Sequence, residues 1–131
     1  MAHILIVEDD AYIAKLLGVR LEHSGHSIIW ASDGNQAIAR ARTHAPDLIL
    51  LDVTLPGMDG LTVLKHLKQN QATHHIPVMM LTAQTDGSSV LTGMDSGADA
   101  YLTKPFDFPD LLRRIEACLT RRAALQTPRG G

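Results

Sequence analysis

Five short runs of consecutive apolar residues punctuate the chain: Ile4-Leu5-Ile6-Val7, Ile28-Ile29-Trp30, Leu48-Ile49-Leu50-Leu51, Val78-Met79-Met80-Leu81 and Ala100-Tyr101-Leu102. Because they are apolar on adjacent rather than alternate residues, they predict strands buried on both faces. Between them, apolar residues recur at helical spacing. Ile13, Leu16, Leu17 and Leu21 form one stripe, which ends at Ser24-Gly25. Asp33 stands as the N-cap of a second segment, with Gln36 in capping-box position. Leu61, Leu64 and Leu67 mark a third segment, and Val90, Leu91 and Met94 a short fourth that stops at Gly97. The fifth carries Leu111, Leu112, Ile115 and Leu119, with Asp107 as its cap and Pro109 tolerated in the first turn. Strands alternating with helices imply parallel β-α units with right-handed crossovers, so an α/β sheet covered by helices on both sides. After Arg122 the periodicity fades, and residues 123–131 read as a tail or linker stub.

At 131 residues there is room for one domain. The 45% hydrophobic content suits a packed core rather than a disordered chain. A net charge of -2 does not favour a basic nucleic-acid module. No run reaches the roughly 18 apolar residues of a membrane span, and Met1-Ala2-His3-Ile4 begins no signal peptide. Cys118 is the single cysteine, so no intrachain disulfide forms, and the cytoplasm is the default location.

The candidate chemistry lies where the strands stop. The first run ends in Glu8-Asp9-Asp10, the third in Asp52 and the fourth in Thr82, while Lys104-Pro105 follows the fifth. Ligands of open α/β sheets sit at this carboxyl edge. Any one of these acids is more simply a turn former or a cap, and Asp10 reads as the cap of the first helix. Together, matched strand ends bring carboxylates, a hydroxyl and an ammonium to one place. Clustered carboxylates call for a cation, and an oxygen-only donor set suits Mg2+ better than zinc. A cation beside a carboxylate and a lysine also suits a phosphoryl group, which the carboxylate oxygen can attack.

With these motifs the sequence resembles the receiver domain of bacterial response regulators over residues 3–122. The resemblance rests on Ile4–Asp10, Asp47–Asp52, Leu55-Pro56-Gly57-Met58-Asp59-Gly60, Ile76–Ala83 and Gly97–Phe106, in family order and spacing. It implies a flavodoxin-like (βα)5 three-layer sandwich whose five-stranded parallel sheet has the order 2-1-3-4-5. Asp52 matches the aspartate that takes phosphate from a sensor histidine kinase or a histidine phosphotransfer protein. Asp9 would bind Mg2+ directly and Glu8 through water, with Asp52 and the Thr54 carbonyl as further ligands. Lys104 would meet a phosphoryl oxygen, and its bond to Pro105 is expected to be cis. Thr82 and Tyr101 match the switch pair that alters the face around the fourth helical segment, the fifth strand and the fifth helical segment. Through that face the domain would act on an effector protein or domain, without binding nucleic acid or membrane itself. Winged-helix members of the family dimerise there through charged pairs. Asp99 and Arg114 keep that pattern, whereas Ala100, Ser88-Ser89 and Glu116 depart from it, leaving a homodimer open. Thr54 and Gln84 flank the site and are expected to set the phosphate lifetime.

Other features carry less. The seven histidines, His74-His75 among them, lack ligand spacing. Arg113, Arg114, Arg121 and Arg122 complement a helix C-terminus. Cys118, Met79 and Met80 read as core. An aspartate-nucleophile phosphatase would need a general acid where Thr54 stands. A flavodoxin-like electron carrier would need a glycine- and hydroxyl-rich loop where Glu8-Asp9-Asp10 would repel a flavin phosphate. The sequence therefore points to no enzyme beyond one catalysing its own phosphorylation and dephosphorylation.

Overall fold

The computed structural model describes residues 2–83 and 97–126. In it the apolar runs are β1 (His3–Val7), β2 (Ser27–Ala31), β3 (Leu48–Asp52), β4 (Val78–Ala83) and β5 (Ala100–Lys104). All pair in parallel in the order β2-β1-β3-β4-β5. Four helices are described: α1 (Ala11–His23), α2 (Gly34–His44), α3 (Gly60–Gln69) and the C-terminal α4 (Phe108–Gln126). The fourth helical segment expected at Val90, Leu91 and Met94 lies outside the described residues, as do Gln84, Ser88 and Ser89.

Strand alternation divides the core into two layers. Ile4, Ile6, Leu48, Leu50, Met79, Leu81 and Leu102 pack with Leu17 and Leu21 of α1 and with Leu111, Ile115 and Cys118 of α4. Leu5, Val7, Ile49, Leu51, Val78 and Met80 face the other way, toward α2 and α3. This phase also carries past the strands. Glu8, Asp52 and Lys104 continue the set that faces α1 and α4, while Thr82 and Tyr101 are in phase with the opposite set.

Local chemistry starts each helix. Asp10 accepts from the Tyr12 and Ile13 amides, Asp59 from Thr62 and Asp107 from Asp110. Asp33 accepts from the Gln36 amide, and Gln36 answers by accepting from Ser32 rather than from the cap itself. At the end of α2, Ala45 takes the left-handed conformation more usual for glycine (φ 45°), and Pro46 prevents continuation.

Helix α1 corrects its predicted stripe. Its buried residues are Ala14, Leu17, Gly18 and Leu21, whereas Ile13 and Leu16 are exposed. Small residues at 14 and 18 let the helix approach the sheet, so the contact face follows fit rather than the largest apolar side chains. Tyr12, Leu16 and Val19, spaced at i, i+4 and i+7, lie on the far side and stay exposed.

The C-terminal helix also outlasts the reading from pattern. It continues through Ala123-Ala124-Leu125-Gln126, all good helix formers, after the apolar period has faded. Arg122 pairs with Asp47 at the start of β3, and Asp47 also accepts from the His3 amide. Burial would raise the Asp47 pKa, but the His3 amide and Arg122 outweigh it and hold the carboxyl below its ordinary value. A second tie is made by the buried His26, whose Nδ1 accepts from the Ala2 amide while Nε2 meets Glu116 at 3.0 Å. Among the described residues no helix is long and apolar enough to cross a membrane.

Candidate functional site

The apolar runs of β1 and β3 lie side by side at the centre of the sheet and end together, so the acids that follow them meet. Carboxylate oxygens of Glu8, Asp9 and Asp52 all lie within 4.8 Å of one another. Glu8 and Asp52 are buried, only 3% and 5% exposed, while Asp9 is open to solvent. From β5, Lys104 reaches back across the end of β4 and places Nζ 2.9 Å from Asp52 Oδ2. The other oxygen, Oδ1, accepts from the Thr54 backbone amide at 2.9 Å. The Lys104-Pro105 bond is cis, as expected.

Three carboxylates against one ammonium leave excess negative charge. Burial is the largest influence on Glu8, raising its pKa. The Asp10 amide, which donates to its carboxylate, lowers it in part, and the Asp52 charge raises it again. The outcome is a Glu8 carboxyl pushed up to about 7. An all-oxygen donor set with a charge deficit of this kind fits a hard divalent cation. Near Glu8, Asp9 and Asp52, neither sulfur nor imidazole completes a zinc set among the described residues.

Thr82, next to last in the neighbouring strand β4, is 1% exposed, and its hydroxyl has no hydrogen-bond partner among the described residues. A buried hydroxyl in that state favours a polar group brought to it. Tyr101 is half-buried and packs on the layer toward α2 and α3. The sequence-predicted residues Glu8, Asp9, Asp52, Thr54 and Lys104 thus converge at one edge, with Thr82 beside them in the opposite phase, while Tyr101, level with Met80, stands further from the edge on that same opposite side. Two participants were missed. Trp30, read only as a strand residue, donates its indole N–H to the Glu8 carbonyl at 2.8 Å. Gly60, read as part of a motif, sits against the backbone of Asp52 and Val53. A tryptophan on an edge strand was the one visible hint of the first.

The family model of the response regulator receiver domain matches residues 4–116. The chain belongs to that family. This receiver domain is 46% identical over 121 residues to the DNA-binding dual master transcriptional regulator RpaA of Synechocystis, covering 92% of the chain and 50% of that protein. It is 43% identical to the alkaline phosphatase synthesis transcriptional regulatory protein PhoP of Bacillus subtilis, covering 95% and 51%. The chain therefore spans about half the length of the curated relatives it matches. Among solved structures it resembles a response regulator of Chloroflexus aurantiacus at TM-score 0.87 and 38% identity, covering 92% of this chain and 98% of that one. It also resembles NtrX of Brucella abortus at TM-score 0.88 and 29% identity, covering 95% and 28%.

Receiver domains generally depend on Mg2+, and the acidic cluster gives that dependence a pH sign. Without a cation, folded Glu8 holds a proton between its ordinary value of 4.5 and about 7 that the unfolded chain has released. Metal-free stability therefore falls as pH rises through that window. A Mg2+ ion held at this cluster would compete with the same proton, so its stabilising effect would grow with pH. Thermal unfolding with Mg2+ or chelator should show a larger Mg2+ shift at pH about 8 than at about 6. Equal shifts at both values would remove Glu8 from the cation site.

Proposed function

We propose that this receiver domain accepts a phosphoryl group on Asp52 from the phosphohistidine of a sensor histidine kinase or a histidine phosphotransfer protein. The supporting observation is a buried aspartate paired to Lys104 inside a three-carboxylate cluster. An Asp52 carboxylate oxygen attacks phosphorus, the phosphorus–nitrogen bond of the donor breaks, and the leaving imidazole nitrogen takes a proton from water. Asp9, Asp52 and the Thr54 carbonyl, with Glu8 through water, would hold a Mg2+ ion, which would supply positive charge for the phosphoryl oxygens. Lys104, already beside Oδ2, meets one of those oxygens, and the Thr54 amide keeps the carboxylate oriented.

The Thr82 hydroxyl, without a partner among the described residues, then has an acceptor to turn to, and Tyr101 follows into the space released. The phosphorylated form selects one of two arrangements, and the face around β5 and α4 carries the change to an effector protein or domain. On that face Asp99 is engaged by Lys68 and the Val78 amide and Arg114 by Asp110 and the Tyr101 carbonyl, while Glu116 turns away to pair with His26 before β2. Charges at these positions are thus used within the chain, which favours an effector partner over a dimer of this domain. The exposed stripe Tyr12, Leu16 and Val19 begins beside the site and offers a phosphodonor protein an apolar surface. The chemistry is confined to Asp52 itself, since Thr54 supplies no general acid for turnover of external esters.

Incubation with acetyl phosphate and Mg2+ should give a hydroxylamine-sensitive acyl phosphate. Reduction with borohydride and peptide mapping should place homoserine at position 52. A phosphoryl group on another residue, or uptake unaffected by chelator, would overturn the assignment.

A further inference from the structure

The one tryptophan of the chain stands on the edge strand β2, in register with Ile6 of β1, and is 42% exposed. A half-exposed indole on a solvent edge gains little from burial, yet its N–H is directed at a backbone oxygen of the acidic pair. The Glu8 amide makes the last ladder bond between the two strands, donating to Ala31 O at 3.0 Å. In a parallel ladder the next bond would run from the residue-33 amide to the Glu8 carbonyl. That bond has no strand to come from, because β2 ends at Ala31 and the chain turns at Ser32 and Asp33 to cap α2. The Trp30 side chain reaches the vacated position and donates Nε1–H to Glu8 O at 2.8 Å. A side chain thus replaces the missing ladder donor.

The Glu8 carbonyl belongs to the peptide plane that leads into Asp9. A planar peptide fixes the direction of the Asp9 amide once the carbonyl is fixed. Asp9 is exposed, so packing does little to hold it, unlike buried Glu8, whose carboxylate also accepts from the Asp10 amide. We propose that Trp30 is a positioning residue for divalent-cation binding, holding the Glu8–Asp9 peptide so that both carboxylates face Asp52. This rests on the reading of the acidic cluster as a Mg2+ site. It acts through the backbone, as partners of metal ligands commonly do.

The test is Trp30→Phe, which keeps an aromatic ring and deletes the donor. Titrating MgCl2 into metal-free protein by calorimetry should show binding about fivefold weaker than wild type, the worth of one net hydrogen bond. The thermal midpoint of the metal-free variant should fall by no more than the few degrees that one hydrogen bond is worth. In the wild-type protein, the indole N–H resonance should shift during the same titration with the same dissociation constant. Equal Mg2+ affinity in variant and wild type overturns the role of Trp30, as does a lowered midpoint without weakened binding. If the variant does not fold, the wild-type resonance decides, and one unmoved through saturation overturns the proposal. Wild-type protein that binds no Mg2+ would instead overturn the cation site, and this inference with it.

Discussion

An Asp52→Asn variant is expected to take up no phosphoryl group above background while remaining folded. The carboxamide preserves the volume of the side chain, and its oxygen can still accept from the Thr54 amide, as Asp52 Oδ1 does at 2.9 Å. What disappears is the anionic oxygen able to attack phosphorus. The amide nitrogen would then face the Lys104 ammonium, donor against donor, where a 2.9 Å ion pair now stands. That loss is offset by relief among the carboxylates. Burial remains the largest influence on Glu8, but removing the Asp52 charge should lower its pKa from about 7. The two effects oppose each other, and Lys104 is exposed enough to regain water. Intact-mass measurement after incubation with acetyl phosphate and Mg2+ checks the uptake, and thermal unfolding checks the fold. Uptake equal to wild type would move the nucleophile elsewhere.

Gly60→Ala is expected to destabilise the domain by about 3 kcal/mol, the upper end of the usual cost of overpacking. Helix propensity alone argues the reverse, since alanine is favoured over glycine by about 1 kcal/mol in a helix interior. Space decides between them. A Cβ on Gly60 would lie 2.5 Å from Asp52 O, 2.6 Å from Val53 Cα and 3.0 Å from Val53 O. These are backbone atoms of the central strand and its exit, so no side chain can turn aside to make room. The Gly60 amide also donates to Val53 O at 2.9 Å, tying the start of α3 to the end of β3. Relief requires moving α3 outward or bending the peptide that carries Asp52. Thermal unfolding should show a midpoint lowered by about 10 °C, together with slower uptake of phosphate on Asp52. An unchanged or raised midpoint would mean that propensity outweighs the close approach.

The strands were legible because each is a short apolar run, and three helix starts because Asp10, Asp33 and Asp107 cap their own first turns; Asp59, read only as part of a motif, does the same for α3. Such interactions span only two or three residues, so sequence displays them directly. The site was legible for a related reason. Glu8, Asp52, Thr82 and Lys104 each follow or end a recognisable strand, and parallel strands bring like ends together. The face of α1 was less legible. Leu16 and Val19 are as apolar as Leu17, and only docking against β1 and β2 decides which of them is covered.

By itself, then, the sequence determined the order of elements, the caps and the acidic edge, because each is written in neighbouring residues. The tertiary structure alone decided which side of α1 is buried, that Gly60 has no room for a Cβ, and that Trp30 completes the ladder at Glu8. It likewise set His26 against Glu116 and Arg122 against Asp47, across 90 and 75 residues of chain. Each of these depends on distance and shape between segments far apart in sequence, which local pattern does not encode.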